Sequence, residues 1–327
     1  MKTRRTVSLA LALGLLLGLA SAGSAGAATI RIGNPSKNLN TMPMYLAKAR
    51  GFFKKHGVNV EIVYVKGGSK VTKALVARKV DMMYNGPIAT MKALQKGAKF
   101  KFIMAPTVRN DYLLIARSDI KSVKDLVGKK VGISRPGAIS YIMPRLIILK
   151  AGVDPDKVKY VPIGTSGPRR KALIAGKIDA AVMHIESALK ASSRPFLHSI
   201  GAVADAMPGY PFFWLSVHNE LIKERRKDVV AVVAGLIEGN RLTLKDKGAV
   251  IAMAKKHMGL GEEWLSKGYD YLVKIKAYSV NGGLDKKAYK LVLGIGRQYK
   301  QVKKDLPVDK FLTLEIQNEA LKLVGRQ

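Results

Sequence analysis

The chain has 327 residues and no cysteine, and its 57 Lys and Arg against 23 Asp and Glu give a formal net charge of +34. The absence of cysteine excludes a disulfide framework, a thiolate metal site and a cysteine nucleophile. The charge favours anionic partners. Basic residues are spread over nearly every segment, however, only 7% of residues are aromatic, and no nucleic-acid-binding motif is present. Nucleic acid is therefore not an expected partner.

The first 27 residues have the pattern of a secretory signal peptide. Three basic residues in the first five precede an apolar run at 9–20, and the small residues Ala25-Gly26-Ala27 follow. The run is shorter than the ~20 residues that span a bilayer. We expect cleavage after Ala27 and a periplasmic mature protein, exported by the general route or, because of Thr3-Arg4-Arg5, by a twin-arginine signal.

Strand and helix patterns alternate along the mature chain as far as residue 217. The predicted strands are 29–33, 58–65, 80–84, 100–106, 112–116, 130–134, 158–163, 178–183 and 212–217. The last part is helical, with predicted helices at 220–245, 247–258, 262–275, 285–302 and 308–325. This alternation predicts an α/β fold with mainly parallel sheets and right-handed crossovers.

One long unit of the sequence occurs twice. Residues 58–93 match residues 156–191 without a gap, at ten identical positions that include Asp81 and Asp179. A single long repeat indicates two similar lobes rather than a solenoid of short units. The alternative is that two β-α-β units in a chain rich in Lys, Ala and Val look alike, and it leaves the predicted fold unchanged.

Six polar loops follow predicted strands and lead into helices, three in each half of the chain. They are 34–40, 66–69, 85–87, 135–140, 164–167 and 184–186. Ligands of open parallel sheets bind beyond the carboxyl ends of the strands, where helix N-termini offer unpaired N–H groups. Each loop alone could simply cap its helix, but six converging loops favour a ligand site between two lobes. The candidate ligand-binding residues are Asn34, Ser36, Asn40, Met42, Gly68, Ser69, Asn85, Gly86, Arg135, Gly137, Ser140, Tyr141, Thr165, Ser166, His184 and Glu186.

Arg135 is predicted to be the main charged contact to the ligand, because a guanidinium binds carboxylate or sulfonate oxygens in a bidentate manner. The alternative is a surface pair between Arg135 and Glu186. Glu186 could instead hold an amine, and His184 is either a ligand contact or a hydrogen-bonded structural residue. The sequence has no nucleophile elbow, no phosphate-binding loop motif and no histidine spacing typical of metal sites. We therefore expect no enzymatic activity, metal or cofactor.

Three segments together resemble the periplasmic solute-binding proteins of ABC importers, of the nitrate/sulfonate/taurine and thiamine-precursor type. They are YLAKARGFFKKHGVNVEIVYVKGGSKVTKALVARKVDMMYNGP, SVKDLVGKKVGISRPG and ALIAGKIDAAVMH. The resemblance implies a two-lobed type II binding fold whose ligand loops fall on residues 84–87 and 135–137. Two positions depart from the family pattern. Gly137 replaces a hydroxyl residue, with Ser140 the nearest substitute, and residues 184–186 replace a frequent Trp-Asp-Pro.

The resemblance implies a substrate-binding component that captures a small organic, anionic solute and delivers it to the permease in the inner membrane. The protein is expected to be a monomer. Its expected parts are the signal peptide (1–27), lobe 1 (28–108 and 209–327, including the C-terminal helices) and lobe 2 (109–208). Closure of the lobes over the ligand is expected. The alternatives are a thiamine-pyrimidine-synthase-like enzyme, which would be cytosolic and would need cysteines, and a solute receptor for a signalling protein.

Overall fold

Two five-stranded sheets form the framework of the protein in the computed structural model, which describes residues 29–327. The predicted signal peptide (1–27) and its cleavage site after Ala27 lie outside the described residues. The strands are β1 (Ile30–Asn34), β2 (Val60–Tyr64), β3 (Met82–Asn85), β4 (Phe100–Thr107), β5 (Leu113–Arg117), β6 (Lys130–Ile133), β7 (Lys159–Pro162), β8 (Ala180–Met183), β9 (Leu197–Ala202) and β10 (Phe213–His218).

Helices cover both sheets and make up most of the C-terminal part. They are α1 (Met42–Ala49), α2 (Phe52–Lys55), α3 (Gly68–Val76), α4 (Pro87–Leu94), α5 (Ile139–Lys150), α6 (Ser166–Ile174), α7 (Ile185–Ser192), α8 (Val203–Ala206), α9 (Asn219–Glu224), α10 (Arg226–Lys245), α11 (Lys247–Met258), α12 (Glu262–Lys274), α13 (Lys286–Gln298), α14 (Val308–Phe311) and α15 (Glu315–Val324). None of the helices within residues 29–327 is long and apolar enough to cross a membrane.

The two sheets have the same topology. Their strand orders are β2-β1-β3-β10-β4 and β7-β6-β8-β5-β9. In each sheet the first three strands are parallel and the fourth is antiparallel to both of its neighbours. The structure confirms the predicted two-lobed α/β fold, and the repeated sequence forms the same strand-helix-strand-helix unit in each lobe. The lobe boundaries at residues 108 and 208 stay a prediction.

The repeated aspartates stabilise the edge of each sheet that is remote from the carboxyl ends of the parallel strands. Asp81 accepts a hydrogen bond from the backbone N–H of Arg31 at 2.7 Å, and Asp179 accepts one from Lys130 at 2.7 Å. Each aspartate thereby ties the start of one parallel strand to its neighbour. Their recurrence in the sequence therefore reflects strand pairing and not catalysis.

The C-terminal helices pack mainly on lobe 1, as predicted, with one exception. Helix α10 packs against α1 and α2, and α15 packs against α10 and β4. Helix α12, however, contacts α7 of lobe 2 as well as the turn at residues 39–41. A hydrophobic cluster that includes Leu39, Ile185 and Leu272 joins these elements. The second lobe therefore packs against part of the C-terminal tail.

The secondary structure differs from the sequence prediction in several details. The predicted helix at 308–325 is broken after α14 by Leu312, whose φ of −123° and ψ of 134° are extended, and continues as α15. Strand β9 was not predicted, because LHSIGA lacks a regular alternation of apolar and polar residues, and this edge strand forms through its pairing with β5. The predicted helix at 220–245 is broken at Arg225, whose φ of −135° is not helical, into α9 and α10. None of these differences changes the positions of the six loops.

Candidate functional site

A cavity of about 310 Å³ lies between the two sheets, at the carboxyl ends of their parallel strands. The loops that follow β1, β2 and β3 form one wall, and the loops that follow β6, β7 and β8 form the opposite wall. Tyr210, Phe212 and Phe213 lie on the chain that returns to lobe 1, and they also line the cavity. The six loops predicted from the sequence thus meet at one place, where α3, α4, α6 and α7 begin.

Ten of the sixteen candidate residues line this cavity. They are Ser36, Gly68, Ser69, Asn85, Gly86, Gly137, Thr165, Ser166, His184 and Glu186. Some of them also hold the walls together. Asn85, for example, donates to the carbonyl of Gly68 at 2.9 Å and to Thr72 Oγ1 at 3.0 Å. Ligand contact by these residues stays a prediction.

Five other candidates are held by the protein itself, outside the cavity lining. Asn34 is fully buried and donates to Tyr45 Oη at 3.2 Å. Asn40 and Met42 are also fully buried. Ser140 Oγ accepts from the backbone N–H of Ser134 at 2.9 Å, and Tyr141 packs on the Tyr160 ring and the Arg145 guanidinium. Asn34, Asn40 and Ser140 belong to the predicted loops, and Met42 and Tyr141 lie in the helices that follow them. The side chains of all five residues pack outside the cavity lining.

Arg135, the predicted main charged contact, also lies outside the cavity lining. Its guanidinium packs against Gly67 of the opposite lobe and occupies the space that a side chain at Gly67 would need. Gly67 has a φ of +97°, a region that favours glycine. No ion pair joins Arg135 to Glu186 within the described part of the chain. Arg135 therefore bridges the two lobes at the edge of the cavity, and its role in ligand binding stays a prediction.

His184 connects the two lobes by hydrogen bonds on both ring nitrogens. Its Nδ1 lies 3.1 Å from both carboxylate oxygens of Asp111, and its Nε2 lies 2.9 Å from Asn38 Nδ2 in lobe 1. Asp111 is completely buried and also accepts from the backbone N–H of Ile185. Burial alone would lower the pKa of His184, but the charge and hydrogen bond of Asp111 raise it above its ordinary value. This geometry gives His184 a structural role while it faces the cavity.

Glu186 places a buried carboxyl group on the cavity wall in the first turn of α7. Its side chain is 3% exposed, and Oε2 has no hydrogen-bond partner among the described residues. Helix α12 packs on its other side, where a methyl group at Gly268 would lie 3.2 Å from Glu186 Cβ. Burial raises the pKa of Glu186 to about 7, although the positive charge of His184 acts in the opposite direction.

Sequence reasoning missed two arginines in the first turns of α6. Arg169 is 1% exposed, donates to the carbonyl of Gly164 at 2.9 Å and lies over the Tyr112 ring. Arg170 is half-buried and donates to Ser187 Oγ at 2.9 Å. Burial lowers the pKa of Arg170, and the charge of Glu186 opposes this effect. The sequence repeat offered a signal for these arginines. Lobe 1 has Val71 and Thr72 at the equivalent positions, so the two copies of the repeat differ in charge there.

Aromatic rings form the floor of the cavity. Tyr112, His184 and Phe212 pack edge to face, with centroids 4.7–5.3 Å apart, and Phe213 lies against Phe212. Tyr210 completes this surface. Burial raises the pKa of Tyr112 to about 12, so its hydroxyl stays protonated at neutral pH. The cavity thus combines an apolar floor with charged walls, an arrangement suited to binding a small organic molecule.

Fold and cavity together define a two-lobed ligand-binding protein, and comparison with known proteins identifies the family. Residues 38–247 match the model described as NMT1/THI5 like, and the chain belongs to this family. A protein of Brucella abortus, provisionally named a binding protein, is 27% identical over 241 residues, which are 73% of each chain. The 4-amino-5-hydroxymethyl-2-methylpyrimidine phosphate synthase of Schizosaccharomyces pombe is 26% identical over 145 residues, 43% of this chain and 40% of that protein.

Solved structures of several ligand-binding proteins share the fold. The ligand-binding component of an ABC-type import system from Staphylococcus aureus has a TM-score of 0.76 at 14% identity, covering 89% of this chain and 98% of that one. The nitrate-binding protein of Synechocystis has a TM-score of 0.76 at 12% identity and covers 91% and 89%. The aliphatic sulphonate binding protein of Escherichia coli has a TM-score of 0.72 at 18% identity and covers 86% and 91%. At these identities the likeness establishes the fold alone.

Proposed function

We propose that this protein is the periplasmic substrate-binding component of an ABC-type importer. It captures a small organic anion between its lobes and delivers this solute to a permease in the inner membrane. The family and the fold support the binding role, and the signal-peptide pattern of residues 1–27 supports the location. Closure of the lobes would remove the solute from water and present a closed form to the permease.

The charges of the residues that line the cavity support the proposal that the ligand is an anion. Lys37, Arg169 and Arg170 line it, whereas Glu186 is the only acidic residue among the described residues of its lining. The first residues of α6 also face the cavity, and a helix N-terminus favours negative charge. A cavity with this bias stabilises an anionic group more than a cation.

Ligand binding should raise the melting temperature of the purified mature protein and close its lobes. A thermal-shift screen against small organic acids, amines and pyrimidines identifies the ligand. At a hundredfold excess over the dissociation constant we expect a gain of about 2.7 kcal/mol in the free energy of unfolding. Small-angle scattering should then show a smaller radius of gyration with the ligand than without it, and an unchanged radius would argue against closure.

An uptake experiment with the identified ligand distinguishes transport from the alternative functions. Cells that lack the gene should lose uptake of the labelled ligand and regain it on complementation. Unchanged uptake, despite tight binding by the purified protein, would favour a receptor for a signalling protein. Recovery of the ligand in a chemically altered form after incubation with the protein would favour an enzyme.

Arg170→Ala should weaken binding of the identified anion by about 1.5–3 kcal/mol, roughly 10- to 150-fold, because a charged hydrogen-bond donor is removed from the cavity wall. Isothermal titration calorimetry measures this change. Arg135→Ala is the matched comparison, because it removes the same charge just outside the cavity lining. A larger loss for Arg135→Ala than for Arg170→Ala would show that Arg135 is the main charged contact and that our assignment of Arg170 is wrong.

A further inference from the structure

Glu186 is difficult to reconcile with a ligand that is only an anion. Glu186 is only 3% exposed and lines the cavity, and its Oε2 has no hydrogen-bond partner within residues 29–327. A buried carboxylate oxygen without a hydrogen bond is costly, and such groups in native proteins usually have a partner. A bound anion would bring a second negative charge toward it.

Arg170 lines the same cavity but does not neutralise Glu186 directly. No ion pair of 4 Å or less joins these two residues in the described structure, and the Nη1 of Arg170 is held by Ser187 Oγ. Both residues line the cavity, and the charge of Glu186 raises the pKa of Arg170 against the lowering effect of burial. A guanidinium and a carboxylate therefore share one cavity without contacting each other.

We propose that the ligand is a small organic acid that also carries an N–H or O–H donor, and that Glu186 Oε2 accepts a hydrogen bond from this donor. Its acidic oxygens bind at Arg170 and at the start of α6, and its apolar body lies on the ring of Phe212. This inference rests on the proposed function, because it specifies the solute that the cavity captures. A plain anion such as nitrate would leave Glu186 Oε2 without a partner.

Matched pairs of probes that differ only in the donor test this proposal. They are 4-aminobenzoate and benzoate, 4-aminobenzenesulfonate and benzenesulfonate, and γ-aminobutyrate and butyrate. Dissociation constants are measured by calorimetry at pH 8 for the wild type and for Glu186→Gln. Glu61→Gln serves as the control, because Glu61 is exposed on β2 of lobe 1. Melting curves establish that each variant is folded.

In at least one pair the donor-bearing acid should bind about tenfold more tightly than its partner. Glu186→Gln should remove most of this preference, and Glu61→Gln should leave it unchanged. If the acids without a donor bind as tightly as their partners, or if the preference persists in Glu186→Gln, the inference about Glu186 is overturned while capture of organic anions stands. If none of the six probes binds to the folded protein, the proposed capture of small organic acids is itself contradicted.

Discussion

Asp111→Ala should lower the free energy of unfolding by about 3–5 kcal/mol, the usual cost of breaking a buried charged pair. Asp111 is completely buried, and its two oxygens are the acceptors for His184 Nδ1 and for the backbone N–H of Ile185. Its removal leaves both donors buried without an acceptor. Urea unfolding at pH 7, followed by circular dichroism, measures the loss.

Asp119→Ala is the matched control for this effect. The Asp119 side chain is 62% exposed and lies 3.7 Å from Arg117 Nε, so its removal should change the free energy of unfolding by less than about 1 kcal/mol. Loss of the Asp111 charge should also lower the pKa of His184, because the two largest effects that raise this pKa come from Asp111 while burial, which lowers it, remains. Similar stability of the two variants would mean that His184 and Ile185 find other acceptors.

Glu186→Gln should stabilise the ligand-free protein at pH 8 by up to about 3 kcal/mol. Burial raises the pKa of Glu186 from its ordinary 4.5 to about 7, so the folded protein holds a proton that the unfolded chain releases. Each pKa unit corresponds to about 1.4 kcal/mol. This contribution of Glu186 to stability is fully present below pH 4.5 and is lost as the pH rises through about 7.

Denaturation at pH 4.5, 6 and 8 measures the difference between this variant and the wild type. The difference should be small at pH 4.5, where the carboxyl is protonated in the folded protein and only half ionised in the unfolded chain, and largest at pH 8. The pKa of His184 is also raised, so its stabilising contribution is likewise lost as the pH rises. Part of this contribution comes from the charge of Glu186, so it differs between the two proteins. A difference that does not depend on pH would contradict a raised pKa of Glu186.

The stabilisation expected for Glu186→Gln and the expected preference for acids with a hydrogen-bond donor have a common physical cause. The Glu186 carboxylate is unfavourable because it is buried and its Oε2 has no hydrogen-bond partner among the described residues, and a ligand that brings a donor removes this cost. A residue that destabilises the ligand-free protein can therefore favour ligand binding, as strained or unpaired groups at functional sites often do.

Much of the site's location followed from the sequence. The strand and helix patterns predicted two α/β lobes, and the carboxyl ends of parallel strands meet at one edge of a sheet. The loops at residues 66–69, 85–87 and 164–167 were therefore expected to converge, and they do. The prediction worked because the periodicity of apolar residues and the glycines of these loops are local properties of the chain.

The side chains that line the site were harder to predict. Asn34 ends β1 and Ser140 lies in the first turn of α5, next to the cavity, but their side chains form hydrogen bonds with neighbouring residues of the protein. Arg169 and Arg170 read as ordinary basic residues of a helix, yet α6 turns them toward the cavity. Which face of a helix is covered depends on the elements packed against it, and these are distant in the sequence.

By itself, the sequence determined the α/β class, the duplicated lobe and the loops that meet between the lobes, since each of these follows from local pattern and strand direction. Only the tertiary structure decided the chemistry of the cavity. Asp111 meets His184 across 73 positions of sequence, and Asn38 meets the same ring across 146. The burial of Glu186 depends on α7 and on α12, which begins 76 residues later in the chain. Burial and charge pairing are properties of the packed elements, and for that reason the sequence alone could not specify them.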